Sequence, residues 1–326
     1  MFIIVILVLS AMTMLIAVET DDETGNSEDV VSPGGNPITS EAAIVIDFDT
    51  GLVIFEHNAD EQRVPASMAK MVAVYVVLDA IRDGYVSLDT IIYISDSASD
   101  FSYVRAYSNV PMPKESSYTI RRLLDVVIVR SASASTIALG EGIFGSEEAL
   151  VAKMNEKAQQ LGIEAVFYDS WGGSPRNRIS ARGMAELTRS MIKEYPEVLA
   201  VTSKRSVFFD GIFYRSTNPL ISDYEGVDGF KTGFTNPAGW CFTGTAIQGG
   251  RRIISVTMGS VQGYRFTDSV ILLDHGFSNY SSVIAGHFRS SLQSSDIALV
   301  PIMMFNIEEA KYLDLRDLAI MLNENN

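Results

Sequence analysis

Cysteine is almost missing from this chain, and histidine is scarce. Cys241 is the single cysteine in 326 residues, so no internal disulfide can brace the fold. That count leaves both a secreted and a cytosolic location open. The three histidines, His57, His275 and His287, are widely separated and give no metal-ligand spacing with one cysteine. No metal and no cofactor is expected. A surplus of positive charge is missing too: 25 basic residues against 40 acidic ones leave a net charge of −15. Nucleic acid and anionic lipid both require a basic surface, so neither is the expected main partner. No internal repeat, P-loop or dinucleotide fingerprint occurs.

What is present starts with an apolar run. Residues 2–18 carry no charge, with no lysine or arginine before them and no small-x-small cleavage site after them. Such a segment reads as an export signal or a short membrane anchor. Residues 19–39 are acidic, without a base, and interspersed with Ser, Pro, Gly and Asn. This is the composition of a disordered tether. The folded domain is therefore expected over residues 40–278, with 279–326 a short C-terminal extension. Export would place it in the periplasm or on the outer face of the cytoplasmic membrane. At 47% hydrophobic, the chain can bury one large core or two modest ones.

Patterning within the domain predicts an α+β fold. Two β-rich runs about Asp49-Thr50-Gly51 form a hairpin signal. Helical patterns follow from Ser67 to about Asp83, from Ile120 to Arg130, after Ser133 to Gly140 or Gly145, from Glu147 to Leu161 and from Ala181 to Glu194. Strands return at 239–246 and 252–258 around Gln248-Gly249-Gly250, and Val270 to His275 is again helical. Strands at both ends with helices between them predict one antiparallel sheet joining the two ends. Helices would pack on it, with a helical subdomain on the far side and a cleft between.

Three short clusters carry chemistry: Ser67-Met68-Ala69-Lys70, Ser131-Ala132-Ser133 and Lys231-Thr232-Gly233. Ser67 and Lys70 are three apart at a helix opening marked by Pro65, so they share a helix face. A serine hydroxyl needs a base beside it, and lysine serves only when neutral. Its pKa would have to fall from ~10.4 by ~2–3 units, at a cost of about 3–4 kcal/mol. Burial and a second cation, Lys231, would both push that way. The Ser67 amide near the helix start and the Phe234 amide on a strand edge would together meet an oxyanion. Lys231 and Thr232 offer a cation and a hydroxyl to a substrate carboxylate, and Gly233 permits close backbone approach. Ser131 would pass a proton between Lys70 and a leaving amine. Taken singly, Ser-x-x-Lys reads as a solvated helix start, Lys-Thr-Gly as a surface turn and Ser131 as a helix cap.

In this order, Ser-x-x-Lys, Ser-x-x and Lys-Thr-Gly resemble the penicillin-binding serine acyltransferases, a motif set shared with class A β-lactamases. The flanks Ala43–Asp47, Asn58–Lys70 and Val227–Thr235 with Ala238-Gly239-Trp240 are similar to the D-alanyl-D-alanine carboxypeptidases, low-molecular-weight penicillin-binding proteins, over roughly residues 41–278. The resemblance implies a β-lactamase/transpeptidase-like fold and a serine hydrolase acting on peptidoglycan stem peptides that end in D-Ala-D-Ala, with β-lactams as covalent inhibitors. It implies Ser67 as nucleophile, Lys70 as base, Ser131 as the second-cluster serine, and Lys231, Thr232 and Arg265 around the terminal carboxylate. Departures are equally visible. Ser133 stands where the family carries asparagine, too short to place an amide on the substrate backbone, and so implies weakened turnover or a wall-peptide-binding protein. Ala69 stands where threonine is usual. Tyr168–Gly173 replaces a His-Gly-Leu-like loop. No Glu-x-x-Leu-Asn follows Ser133, which weighs against a β-lactamase.

Overall fold

The computed structural model describes residues 37–294. The apolar run 2–18, most of the acidic stretch and residues 295–326 lie outside them. Five strands form one antiparallel sheet: β1 (Ala42–Asp47), β2 (Val53–His57), β3 (Val227–Thr235), β4 (Gly239–Gln248) and β5 (Arg251–Ser260). Their order is β2-β1-β5-β4-β3, so the two chain ends meet where β1 pairs with β5, Ile44 opposite Val256. The first hairpin closes because the Asp47 carboxylate accepts the Thr50 amide (2.7 Å) and Gly51 takes a φ of +80°. Only glycine enters that region without a steric penalty.

Every residue of β1 is buried, which explains why its sequence shows no polar alternation. Ala42, Ile44 and Ile46 join one apolar cluster, and Ala43 and Val45 the other. Both faces of the sheet are therefore covered. On one face lies α7 (Arg265–Ser294), whose Leu272 and Leu273 meet Ile253 and Phe242. On the other lie α6 (Ala181–Glu194) and a helical subdomain of α1 (Lys70–Arg82), α2 (Asp96–Ser102), α3 (Ile120–Val129), α4 (Ser133–Phe144) and α5 (Glu147–Gln160). Helix α1 is buried continuously from Lys70 to Val77, as expected of a helix with no polar face at the centre of its layer. The sheet built from both ends and the helices packed on it are as the patterning predicted.

Two expected boundaries shift. Residues assigned to the tether already belong to the fold: Ile38 is buried, and the Thr39 amide and hydroxyl donate to the buried Asp268 carboxylate at 3.1 and 2.9 Å. The expected break after residue 278 falls inside α7, which runs on to Ser294. Among the described residues no helix is long and apolar enough to cross a membrane.

Candidate active site

The nucleophile candidate sits on a tight turn. Ala66 adopts a left-handed φ of +49°, and Ala66–Ala69 form a 3-10 turn that runs directly into α1. Lys70 opens that helix, and its Nζ lies 2.9 Å from Ser67 Oγ. The same ammonium donates to the Trp171 carbonyl at 2.6 Å. Lys70 is fully buried, and burial pushes its pKa down to about 7, with the Asp169 carboxylate resisting a further fall. Repulsion between Lys70 and Lys231 is mutual, and burial, Lys70 and Arg265 together hold Lys231 well below the ordinary lysine range.

Two glycine contacts lock the Ser67 turn between its neighbours. A Cβ on Gly233 of β3 would stand 2.8 Å from the Pro65 carbonyl oxygen. The close approach this glycine permits is thus that of the serine turn to the strand. A Cβ on Gly172 (φ +87°) would fall 1.9 Å from the Ala66 carbonyl oxygen and 2.9 Å from the Ser67 nitrogen. The loop carrying Gly172 is braced by Asp169, whose carboxylate accepts the amides of Gly172 (2.6 Å), Gly173 (3.2 Å) and Ser174. Glu147 anchors it from α5 by accepting the Ser170 amide and hydroxyl at 2.9 and 2.8 Å.

Ser131 ends α3 with a φ of +67°, a position glycine usually fills, and the following Ala132 amide reaches back to the Val126 carbonyl (3.1 Å). That conformation delivers its hydroxyl to Lys231 Nζ at 2.8 Å. The Ser131 hydroxyl thus accepts its hydrogen bond from Lys231. Ser131→Gly and Ser131→Ala both remove the hydroxyl, but only alanine keeps the left-handed strain. Thermal unfolding should therefore find the glycine variant more stable than the alanine variant by about 1–2 kcal/mol, with both impaired in acylation.

Lys231 is only 1% exposed, and its remaining hydrogen bond goes to the Thr232 carbonyl at 3.1 Å. Its amine is enclosed between the Ser131 hydroxyl and the Thr232 carbonyl. The Thr232 hydroxyl pairs with that of Thr217 at 2.8 Å, a neighbour absent from the sequence expectations. Arg265, at the head of α7, donates to the Gly233 carbonyl (3.1 Å) and stacks on Trp240, with its ring centre 4.7 Å away. Burial pushes the Arg265 pKa down to about 10. Phe234 is exposed on the edge strand β3 and stacks on the same Trp240 at 4.4 Å. Ser133 is buried at the first position of α4, its amide bonded to the Ser108 carbonyl. Thr217 was missed because its segment reads locally only as a loop, while Asp169 and Trp171 belong to the Tyr168–Gly173 departure, which carried no role for either residue.

A Ser–Lys pair, a second serine on a second lysine, and an edge strand beside them form one site at the junction of sheet and helical subdomain. Penicillin-binding protein 5 of Haemophilus influenzae superimposes on 74% of this chain and 72% of its own, with a TM-score of 0.72 and 31% identity. Penicillin-binding protein D2 of Listeria monocytogenes, solved in an ampicillin-bound form, gives 0.65 and 30% over 74% of this chain and 98% of its own. The fold is that of the transpeptidase-like penicillin-binding proteins. The sequence profile of the D-alanyl-D-alanine carboxypeptidase family matches residues 28–262, and the chain belongs to that family. The D-alanyl-D-alanine carboxypeptidase DacF of Bacillus subtilis is 30% identical over 74% of this chain, a stretch that spans 63% of DacF.

Proposed function

We propose that this protein is a serine-type D-alanyl-D-alanine carboxypeptidase that removes the terminal D-alanine from peptidoglycan stem peptides through a Ser67 acyl-enzyme. The observation that carries the reading is the 2.9 Å contact between Ser67 and a fully buried Lys70 with its pKa brought down to about 7. At neutral pH much of that amine is uncharged and can accept the hydroxyl proton as Oγ attacks the carbonyl between the two D-alanines. The resulting oxyanion would be met by the amides of Ser67 and Phe234. The proton taken up by Lys70 would pass through the Ser131 hydroxyl, which Lys231 orients, to the departing D-alanine nitrogen. The paired hydroxyls of Thr232 and Thr217, with the Arg265 guanidinium on the neighbouring Gly233 carbonyl, suit the terminal carboxylate. Water would then release the shortened peptide. The ampicillin-bound relative supports β-lactams as covalent ligands of Ser67. The apolar run 2–18 and the acidic stretch after it support export, with the run as a membrane tether if it is kept.

Rapid β-lactam hydrolysis is less favoured. The acid whose charge acts on Lys70, Asp169, already accepts bonds from three loop amides and the Asn177 side chain (3.2 Å), which leaves it unsuited to activating a water. Ser133 favours a slow enzyme: the side chain at the head of α4 is too short to carry an amide to the substrate backbone. Ser133→Asn should therefore raise the rate about five- to 150-fold, the worth of one hydrogen bond of ~1–3 kcal/mol. No gain in D-alanine release would show that the missing amide is not what limits turnover.

The test of the reading is release of D-alanine from an N-acylated peptide ending in D-Ala-D-Ala, together with the mass of the penicillin-treated protein. Free D-alanine and a stable adduct mapped to Ser67 are expected. An adduct shed within seconds would indicate a β-lactamase. No adduct and no D-alanine would leave a binding protein.

A further inference from the structure

The loop that replaces the family's His-Gly-Leu-like segment also forms a surface which the acyl-transfer chemistry does not use. Trp171, Tyr107 and Phe101 make one aromatic cluster, with ring centres 4.8 Å apart for Tyr107–Trp171, 5.2 Å for Phe101–Trp171 and 5.4 Å for Phe101–Tyr107. Phe101 is partly buried against the main core and fixes the cluster to the helical subdomain. Tyr107, by contrast, is 44% exposed. A Cβ on Gly173 would fall 1.9 Å from the Trp171 ring, so the ring packs against that glycine. The backbone beneath is held by the Asp169 carboxylate and by Lys70. An aromatic surface ordered in advance loses little further freedom when a ligand lands on it.

Its place relative to the nucleophile is set by two distances. Lys70 Nζ is 2.9 Å from Ser67 Oγ and 6.0 Å from the centre of the indole. The ring is no farther from the hydroxyl than those lengths laid end to end. At roughly 3.3–3.6 Å per extended residue, it is within reach of the group that precedes the attacked carbonyl. The serine turn also touches both neighbours at different residues. Gly233, next to Thr232 and hydrogen-bonded to Arg265, meets it at Pro65, and Gly172, next to Trp171, meets it at Ala66 and Ser67. A ligand with its carboxylate at Thr232 and its carbonyl at Ser67 therefore has the aromatic surface within reach of its acyl end.

We infer that Tyr107 and Trp171 form an acyl-side subsite that selects ligands carrying an apolar aryl or long alkyl group next to the scissile D-Ala-D-Ala unit. This inference rests on the proposed function for the orientation of the ligand. It makes Tyr107 and Trp171 specificity-determining residues, distinct in role from the groups that activate Ser67.

The test uses the full chain carrying Ser67→Ala, which binds without turnover, and two probes, phenylacetyl-D-Ala-D-Ala and acetyl-D-Ala-D-Ala, titrated by calorimetry. The phenylacetyl ligand should bind about tenfold more tightly, the worth of a favourable aromatic contact. Adding Tyr107→Ala should bring the ratio below about threefold while leaving the acetyl ligand unchanged. Gly173→Ala should do the same by displacing the indole without altering the aromatic residues themselves. A preference absent from the parent, surviving both variants, or lost only because both ligands weaken equally would overturn the subsite. Failure of the functional reading looks different: no D-alanine would be released by the unmutated chain while the tenfold preference stood.

Discussion

Lys70→Met is expected to slow acylation of Ser67 by ~10²–10⁴-fold, the usual worth of a positioned general base, and to make the protein more stable. The two effects share a cause. An ammonium fully enclosed by protein is held out of water, and burial brings the Lys70 pKa from 10.5 down to about 7. Because the unfolded chain binds this proton more tightly than the folded one, the native state is penalised wherever lysine would be charged. The full penalty applies below pH 7, shrinks as pH rises from about 7 to 10.5, and vanishes above. At pH 7 it amounts to about 4 kcal/mol. Methionine fills similar space without charge, but leaves the Trp171 carbonyl without its donor, a loss of about 1–3 kcal/mol. A net gain of about 1–3 kcal/mol is therefore expected at pH 7. Urea unfolding of both proteins at pH 7 and pH 9.5 checks it, with the advantage of the variant narrowing at the higher pH. A variant less stable than the parent at both values would mean that Lys70 is not a strained charge.

Gly172→Ala is expected to cost roughly 2–5 kcal/mol and to abolish acylation in whatever fraction still folds. Two penalties combine there. The left-handed φ of +87° disfavours any Cβ, and the added atom would lie 1.9 Å from the backbone carbonyl of Ala66. Backbone cannot yield as a side-chain tip does, so either the serine turn or the loop must move. Movement of the loop withdraws the Trp171 carbonyl from Lys70, and movement of the turn shifts Ser67 itself. Gly162→Ala is the control, because its φ of +69° carries the same conformational penalty with no atom within 4 Å of the new Cβ. Thermal unfolding and penicillin labelling of the pair separate the steric contribution from the conformational one. Equal losses in both would show that the contact with Ala66 is unimportant.

Local chemistry made much of this arrangement legible in the sequence. The Ser180 hydroxyl caps the Gly183 amide at the start of α6, so the helix begins and ends where its pattern predicts. Gly145 closes α4 in the left-handed conformation that a helix-ending glycine implies. The i, i+3 spacing of Ser67 and Lys70 translated directly into contact. What stayed hidden depends on partners distant in the chain. Taken alone, Lys231-Thr232-Gly233 resembles a turn, yet it is strand, and its glycine answers to a carbonyl more than 160 residues earlier. Ser131 is not a residue that advertises a left-handed cap; its hydroxyl is held there by Lys231. Helix α7 looked short because the Ser278-Asn279 stretch interrupts its apolar stripe, although the backbone continues to Ser294. Thr217 and Trp171 lie in turn-rich segments whose importance comes from Thr232 and Lys70 across the cleft.

The central claim is that an uncharged lysine activates Ser67. Its most direct test is the rate of penicillin adduct formation on the unmutated chain, followed by intact mass from pH 5 to pH 9.5. The account predicts a rate that climbs about tenfold per pH unit at the acid end, bends near pH 7 and is level above it. A rate independent of pH, or one still climbing tenfold per unit beyond pH 9, would contradict it.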